Sequence, residues 1–437
     1  MTHQYFKQAW QLIKQNKLYS YIYIAGTALG ISMVMVLAIL NYVKTANIYP
    51  EMNRDRLMYA RSIEVSPVDT IRFKYKNYSS LSYKAARLLF MPLQTPEKVS
   101  LMMSGSDFAS LPNDDNLITV KSRFVDTNYW SIFDFNFIAG KPFSDDDFQS
   151  GIKTAVITES LAKSIFGTKE AVGQYIDYGF EPYRVAGVVN DVSYVTSETY
   201  AQMWMPYSCV QDYNFESSER GGMIGNIDRV YMLAKSSSDF EAIRNEVNEN
   251  VRKYNAQATD WKISLLEQPD VHSVAINRVW SNEIPNIKKI RIHNILLVFL
   301  LLLVPAINLS GMNSSRMERR LGEMGVRKAF GASRSKLVKQ VMTENFLLTG
   351  LGGLAGLILS YVIILISSNW IIDMGKSYSN TLPEGISVDF SLTMLINAQV
   401  FIIVLLVCLV MNILSALIPV YRSLRKQITD SLHIKYN

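Results

Sequence analysis

The sequence predicts a membrane protein: four transmembrane α-helices, arranged one plus three, with a large α+β extracytoplasmic domain between the first and second spans. Three observations carry this expectation. The 437 residues are 49 % hydrophobic and only 19 % charged, too apolar for an ordinary soluble enzyme and far from the composition of a disordered chain. The apolar residues are gathered in four blocks, each long enough to cross about 30 Å of hydrocarbon. Lysine and arginine are concentrated on the segments that flank these blocks on one side.

The first block lies between Lys17 and Lys44, an interval without a charged side chain, and its centre reads YIYIAGTALGISMVMVLAILNYV from Tyr21 to Val43. It is longer than a signal-peptide apolar region and no small-x-small cleavage site follows, so it reads as an uncleaved anchor. The second uncharged interval, His293 apart, runs from Arg291 to Arg316, the third from Glu344 to Asp373 and the fourth from Asp389 to Arg422. These intervals place spans at 19–43, 292–315, 345–372 and 390–421. Pro305 and Asn308 predict a kink in the second. No span interior contains Asp, Glu, Lys or Arg, which argues against a proton relay or ion pathway. Gly26 and Gly30 form one GxxxG pair and Gly352 and Gly356 another, and each lets helices approach closely, within a protomer or across a dimer.

Charge sets the orientation. The segment 1–18 carries +3 from Lys7, Lys14 and Lys17, the linker 316–344 carries +5 and the tail 422–437 carries +3, against −3 for Lys44 to Arg291 and −2 for the loop 373–389. Both termini and the linker are therefore expected in the cytoplasm and the 44–291 domain and 373–389 loop outside. Lys288, Lys289 and Arg291 fall outside against this rule, which long translocated domains tolerate. The formal net charge of +6 then follows from topology, with no nucleic acid among the partners.

Within 44–291, alternation predicts strands at Tyr183–Val192 and Asp228–Lys235. Thr154–Gly167 reads as a strand running into a short helix that Gly167 stops. Ser238 and Glu241 form a capping-box pattern ahead of a helix whose stripe is Phe240, Ile243, Val247 and Val251. Near the amino terminus, Phe6, Trp10, Ile13 and Lys17 recur at helical spacing and predict an interfacial amphipathic helix. The linker is basic and punctuated by Gly322, Gly325 and Gly331, so it should form brief helices joined by tight turns. Glu323, Val326, Arg327 and Phe330 share one helical face there. That face either anchors spans to lipid phosphates or docks on a cytoplasmic partner.

Chemistry is nearly absent. The chain has no GxxxxGK[ST], HExxH or GxSxG pattern, and His3, His272, His293 and His433 are scattered. Cys209 and Cys408 form no metal-ligand spacing. Asp145, Asp146 and Asp147 read as a solvated helix start rather than a calcium site. The sequence thus predicts no enzyme, no metal and no cofactor in this chain.

The linker stretch RRLGEMGVRKAFGAS, from Arg319 to Ser333, followed by ENFLL from Glu344, resembles the MacB/FtsX-type ABC transporter permeases, the type VII mechanotransmission class. The outer stretches FVDTNYWSIFDFNFIAGKPFSDDD, AVITESLAKSIFGTKEAVGQYI and YRVAGVVNDVS are similar to that family's periplasmic core domain. The resemblance implies an inserted outer subdomain at about 124–192 and a four-span, single-unit permease of the inner membrane. It implies that Glu323, Gly325, Val326, Arg327, Lys328, Gly331 and Ala332 couple to a cytoplasmic ABC ATPase, where ATP and Mg would bind. It also implies a second permease protomer, as homo- or heterodimer, with a periplasmic adaptor and an outer-membrane channel left open. With so few residues ahead of the first span, the ATPase is expected to be a separate chain. Two roles stay open: extrusion of a drug, peptide or lipoprotein, or FtsX-like activation of an extracytoplasmic cell-wall hydrolase without transport. The full outer core pattern favours the first.

Overall fold

The uncharged interval from Leu18 to Val43 forms one continuous helix, α1 (Lys17–Thr45), of 29 residues, about 43 Å at 1.5 Å per residue. The structure, a computed structural model, describes residues 7, 10–11, 13–15, 17–69, 75–112, 114–211, 213–214, 219–301, 303, 326–327, 330–331, 333–374 and 397–425. Two compact units emerge, and the boundary between them falls after Val43 and again after Ile287.

The outer unit opens with strands β1 (Leu57–Ala60), β2 (Ile63–Pro67) and β3 (Asn77–Ser79) and helix α2 (Tyr83–Leu89), capped by Ser82. β4 (Lys98–Ser110), β5 (Ile118–Val125), helix α3 (Tyr129–Ile132), β6 (Phe137–Gly140) and helix α4 (Asp145–Gln149) follow. Next come β7 (Thr154–Thr158), helix α5 (Glu159–Phe166), β8 (Tyr175–Tyr178), β9 (Glu181–Val189), β10 (Met203–Pro206) and β11 (Arg229–Leu233). Helix α6 (Phe240–Gln257), β12 (Trp261–Ser264), β13 (Asp270–Val271) and helix α7 (His272–Ala275) complete it.

Ten strands form one sheet in the order β13-β1-β11-β4-β5-β10-β7-β9-β6, with β8 bridging β4 and β9, while β12-β2-β3 form a second. Only β5–β10 and β7–β9 pair in parallel; the other ladders are antiparallel. The large sheet is covered on both faces, and β1, β7 and β10 are buried along their whole length, while β5 and β9 keep an alternating pattern. In β1, Met58 and Ala60 face the cluster under α2 and α6, and Leu57 and Tyr59 face an aromatic cluster holding Tyr129, Phe133, Trp204 and Tyr231. The strands expected between Tyr183 and Lys235 are β9 and β11. The strand-to-helix step at Thr154 is β7 and α5, ended by Gly167 at φ +72°, a conformation only glycine adopts freely. In α6, Ile243 and Val247 are buried and Phe240 and Val251 pack beside them. The capping box ahead of it is formed by Ser236 and Asp239, not Ser238 and Glu241, and it caps the 3-10 turn at Ser237–Asp239 that precedes the helix. The acidic run is the first turn of α4, closed by a Ser144–Asp147 capping box.

After Ile287 the chain is helical from 287 to 301. The other unit then contributes helices α8 (Arg334–Met374) and α9 (Ala398–Arg425). Among the described residues, α1 and the Val338–Ser367 part of α8 are long and apolar enough to cross a membrane, and Ala398–Leu414 is a shorter apolar stretch. Pro305, Asn308, Phe6 and residues 375–389 of the 373–389 loop lie outside the described residues, 373 and 374 being the end of α8.

Candidate transmission site

The residues singled out in the linker are partly visible. Glu323, Gly325, Lys328 and Ala332 lie outside the described residues. Val326 and Phe330 belong to one helical turn, with Phe330 N–H donating to Val326 C=O at 3.0 Å, and both are exposed, Phe330 to 88 %. Arg327, half-buried, donates from Nη1 to Oε1 of Gln340 at 2.8 Å. Its guanidinium therefore holds the turn against the first turns of α8. Among the described residues of the turn, Val326 and Phe330 are the exposed apolar pair. Gly331, at φ +85°, makes the reversal that lets Ser333 receive the Lys336 N–H at the start of α8.

The two GxxxG pairs do different things. A Cβ at Gly352 would lie 2.8 Å from Thr27, and one at Gly356 2.9 Å from the Ala28 carbonyl and 3.0 Å from Ile31. These glycines let α8 pack backbone-close on α1. A Cβ at Gly26 would meet nothing within 4 Å, and Gly30 is buried in α1. On α8's other side, a Cβ at Gly353 would run into Leu405 of α9, and buried Asn412 donates to Thr349 Oγ1 at 3.2 Å. Glycine spacing alone had not distinguished these roles.

Sequence reasoning missed a third component, where the chain enters and leaves the outer unit. Arg54 and Glu51 pair at 2.7 Å, with side chains 2 % and 1 % exposed. Arg54 Nη1 also donates to the Ala46 carbonyl, and Glu51 Oε1 accepts from the Glu198 and Thr199 amides and the Thr199 hydroxyl. His272 sits between the Lys44 carbonyl, 2.8 Å from Nε2, and the Tyr59 hydroxyl, 2.9 Å from Nδ1. A carbonyl only accepts, so Nε2 carries the proton and Nδ1 accepts from Tyr59. Burial, reinforced by Arg54, lowers the His272 pKa and keeps the ring in that neutral form. Burial works to raise the Glu198 carboxyl, but Arg229 and Arg123 outweigh it and hold it below the usual range.

At the exit, Arg278 Nε and Nη2 pair with Asp270 at 2.6 and 3.0 Å. The same guanidinium donates to the Glu283 and Leu266 carbonyls, and Arg61 Nη1 donates to the Arg278 carbonyl. A buried ion pair adds little net stability over an apolar packing of equal volume. What Arg54 and Arg278 provide is geometry: each binds a carboxylate and main-chain carbonyls of the segments near where the chain enters or leaves the domain. The only sequence signal was the Glu51-x-x-Arg54 spacing, which is too common to read.

Among the described residues no group of His, Cys, Asp and Glu could hold a metal. Glycine-packed apolar helices and an α/β domain on one chain are the architecture of a membrane protein. The MacB-like periplasmic core domain matches residues 20–250 and the FtsX-like permease C-terminal domain residues 295–428. The chain belongs to the MacB/FtsX-type ABC transporter permeases. It is 22 % identical over 237 residues to the uncharacterized ABC transporter permease YknZ of Bacillus subtilis, covering 54 % of this chain and 55 % of that protein. It is 23 % identical over 389 residues to the macrolide export ATP-binding/permease protein MacB of Chromobacterium violaceum, covering 86 % of this chain and 54 % of that protein. The chain thus spans about half the length of these curated relatives. The crystal structure of the extracellular domain of the noncanonic ABC-type transporter YknZ from Gram-positive bacteria aligns with TM-score 0.33 and 17 % identity, over 46 % of this chain and 99 % of that one.

Proposed function

We propose that this chain spans the inner membrane four times, at 19–43, 292–315, 345–372 and 390–421, with both termini and the 316–344 linker in the cytoplasm. It pairs with a second permease protomer and binds a cytoplasmic ABC ATPase that carries ATP and Mg. Hydrolysis there moves the outer domain and drives extrusion of a drug, peptide or lipoprotein; the relative whose name specifies macrolide export supports the export reading over a purely regulatory one. The observation that carries this reading is the exposed Val326–Phe330 turn. An apolar pair on a helical turn, braced from behind by Arg327 and Gln340, is the shape a protein groove accepts. Glu323, Gly325, Lys328, Gly331 and Ala332 complete the coupling segment.

The test is affinity purification of the full chain from its host in mild detergent, with mass spectrometry of what co-purifies and an ATPase assay of the complex. A P-loop ATPase is expected with the parent and is expected to be lost with Phe330→Asp. Arg327→Gln, which removes the brace but not the apolar pair, should weaken the complex less. Absence of any ATPase from the parent preparation would refute the coupling role.

A further inference from the structure

We propose that Ile276, Val279, Trp280 and Ile284 seat the outer domain on the outer leaflet of the bilayer as a lipid-surface anchor. These four large apolar side chains fall within nine residues and are 39 %, 55 %, 58 % and 47 % exposed. Scattered surface leucines need no explanation, but four large apolar side chains exposed within one nine-residue stretch do.

Their exposure is built in. Arg278, between them, is 2 % exposed and turned inward onto Asp270. The main chain around it is tied down from within: the Arg278, Glu283 and Ser281 carbonyls accept from Arg61, Arg278 and the Ser62 hydroxyl. The segment is thus fixed to the domain through its backbone, and its apolar side chains are left pointing away.

The occupant follows from where the segment lies. His272, at the head of α7, binds the Lys44 carbonyl in the last turn of α1, immediately after the apolar block ends at Val43. At its other end, the helical run from 287 enters the second apolar block at Ile292. The stretch 276–284 thus ends eight residues ahead of Ile292 in the second apolar block, and the helix before it is bonded to the residue that follows the first. Tryptophan is the side chain enriched at that depth, with an apolar body and a polar N–H. Lys288 and Lys289, both exposed, and Arg291 follow directly, placing cations at the level of lipid phosphates. Glu283 is the one carboxylate between Arg278 and Arg291. This accounts for basic residues that the orientation rule alone leaves on the wrong side.

The test uses the full chain with Cys209→Ser and Cys408→Ala, carrying an environment-sensitive fluorophore at Trp280→Cys. Val279→Cys serves as a second site should the first fold poorly, and Ser106→Cys on β4 is an exposed control. In phosphatidylcholine nanodiscs the 279 and 280 labels should emit to the blue of the control. A nitroxide near the lipid carbonyls should quench them more than one near the chain ends. Quenching no greater than at position 106 would overturn the proposal. So would a blue-shifted label untouched by lipid nitroxides, which would mean that protein, such as a second copy, covers the patch. Neither readout depends on an ATPase, so failure here and failure of the coupling role remain separable.

Discussion

Alanine at Gly356 and alanine at Gly26 should move stability in opposite directions. The new methyl at position 356 would stand 2.9 Å from the Ala28 carbonyl oxygen and 3.0 Å from Ile31 Cβ, well inside the 3.5–4.0 Å at which nonbonded carbons attract. Both neighbours belong to α1, one of them main chain, so the helices must part. Overpacking of this kind costs about 1–3 kcal/mol, offset in part by the roughly 1 kcal/mol that alanine gains over glycine in a helix. The net loss reaches about 2 kcal/mol. At Gly26 nothing lies within 4 Å, leaving only the gain of about 1 kcal/mol. The two variants should therefore differ by roughly 1–3 kcal/mol. Reversible unfolding of the full chain by sodium dodecyl sulfate in mixed micelles, followed by circular dichroism, measures the difference. Equal destabilisation by both would refute the reasoning, since it would require the open face at Gly26 to be covered by another helix, as in a dimer. A Gly356→Ala as stabilising as Gly26→Ala would show that the α1–α8 contact is not close.

Arg278→Ala leaves the Asp270 carboxylate buried without its cation and should destabilise the outer unit by about 3–5 kcal/mol, whereas Arg278→Met with Asp270→Leu should be close to neutral; thermal unfolding of the two variants separates the cases. Asp126, which accepts the Leu101 and Tyr129 amides, is raised by burial from 3.8 to about 6. The native state therefore binds the extra proton between about pH 4 and pH 6, and stability falls as pH rises through that window by roughly 3 kcal/mol. Asp126→Asn should flatten that slope in a pH series of unfolding midpoints, and an unchanged slope would assign it elsewhere. Cys209, with its thiol pushed up to about 11 by burial, should react with an impermeant maleimide from the outer side only after unfolding; labelling that requires access to the cytoplasmic face would invert the topology.

Local order was legible because it is written in short-range patterns. An interval of 26 uncharged residues has few alternatives to a helix such as α1. The apolar stripe of α6 and the glycine that ends α5 are equally local. The cap of α6 was misplaced by two residues because Ser236–Asp239 and Ser238–Glu241 offer the same spacing, and only the 3-10 turn at Ser237–Asp239 selects the first. In the linker, helical spacing puts Val326, Arg327 and Phe330 on one face. It said nothing of Gln340, thirteen residues on, which takes the Arg327 charge and leaves the apolar pair facing out.

The sequence by itself determined that this is a membrane protein, since the length of an apolar block and the spread of basic residues respond to the bilayer and not to any particular neighbour. Motifs along the linker and outer domain were enough to name the family. Tertiary structure alone decided which glycine pair packs and which stays open, because both have the same spacing and differ only in what stands opposite. It also decided the strand order of the ten-stranded sheet and the clamps at Arg54, His272 and Arg278. His272 meets Tyr59 across 213 residues, and a contact of that range leaves no period in the chain. Periodicity records which face of an element is apolar; the partner that covers it is chosen only when the chain folds.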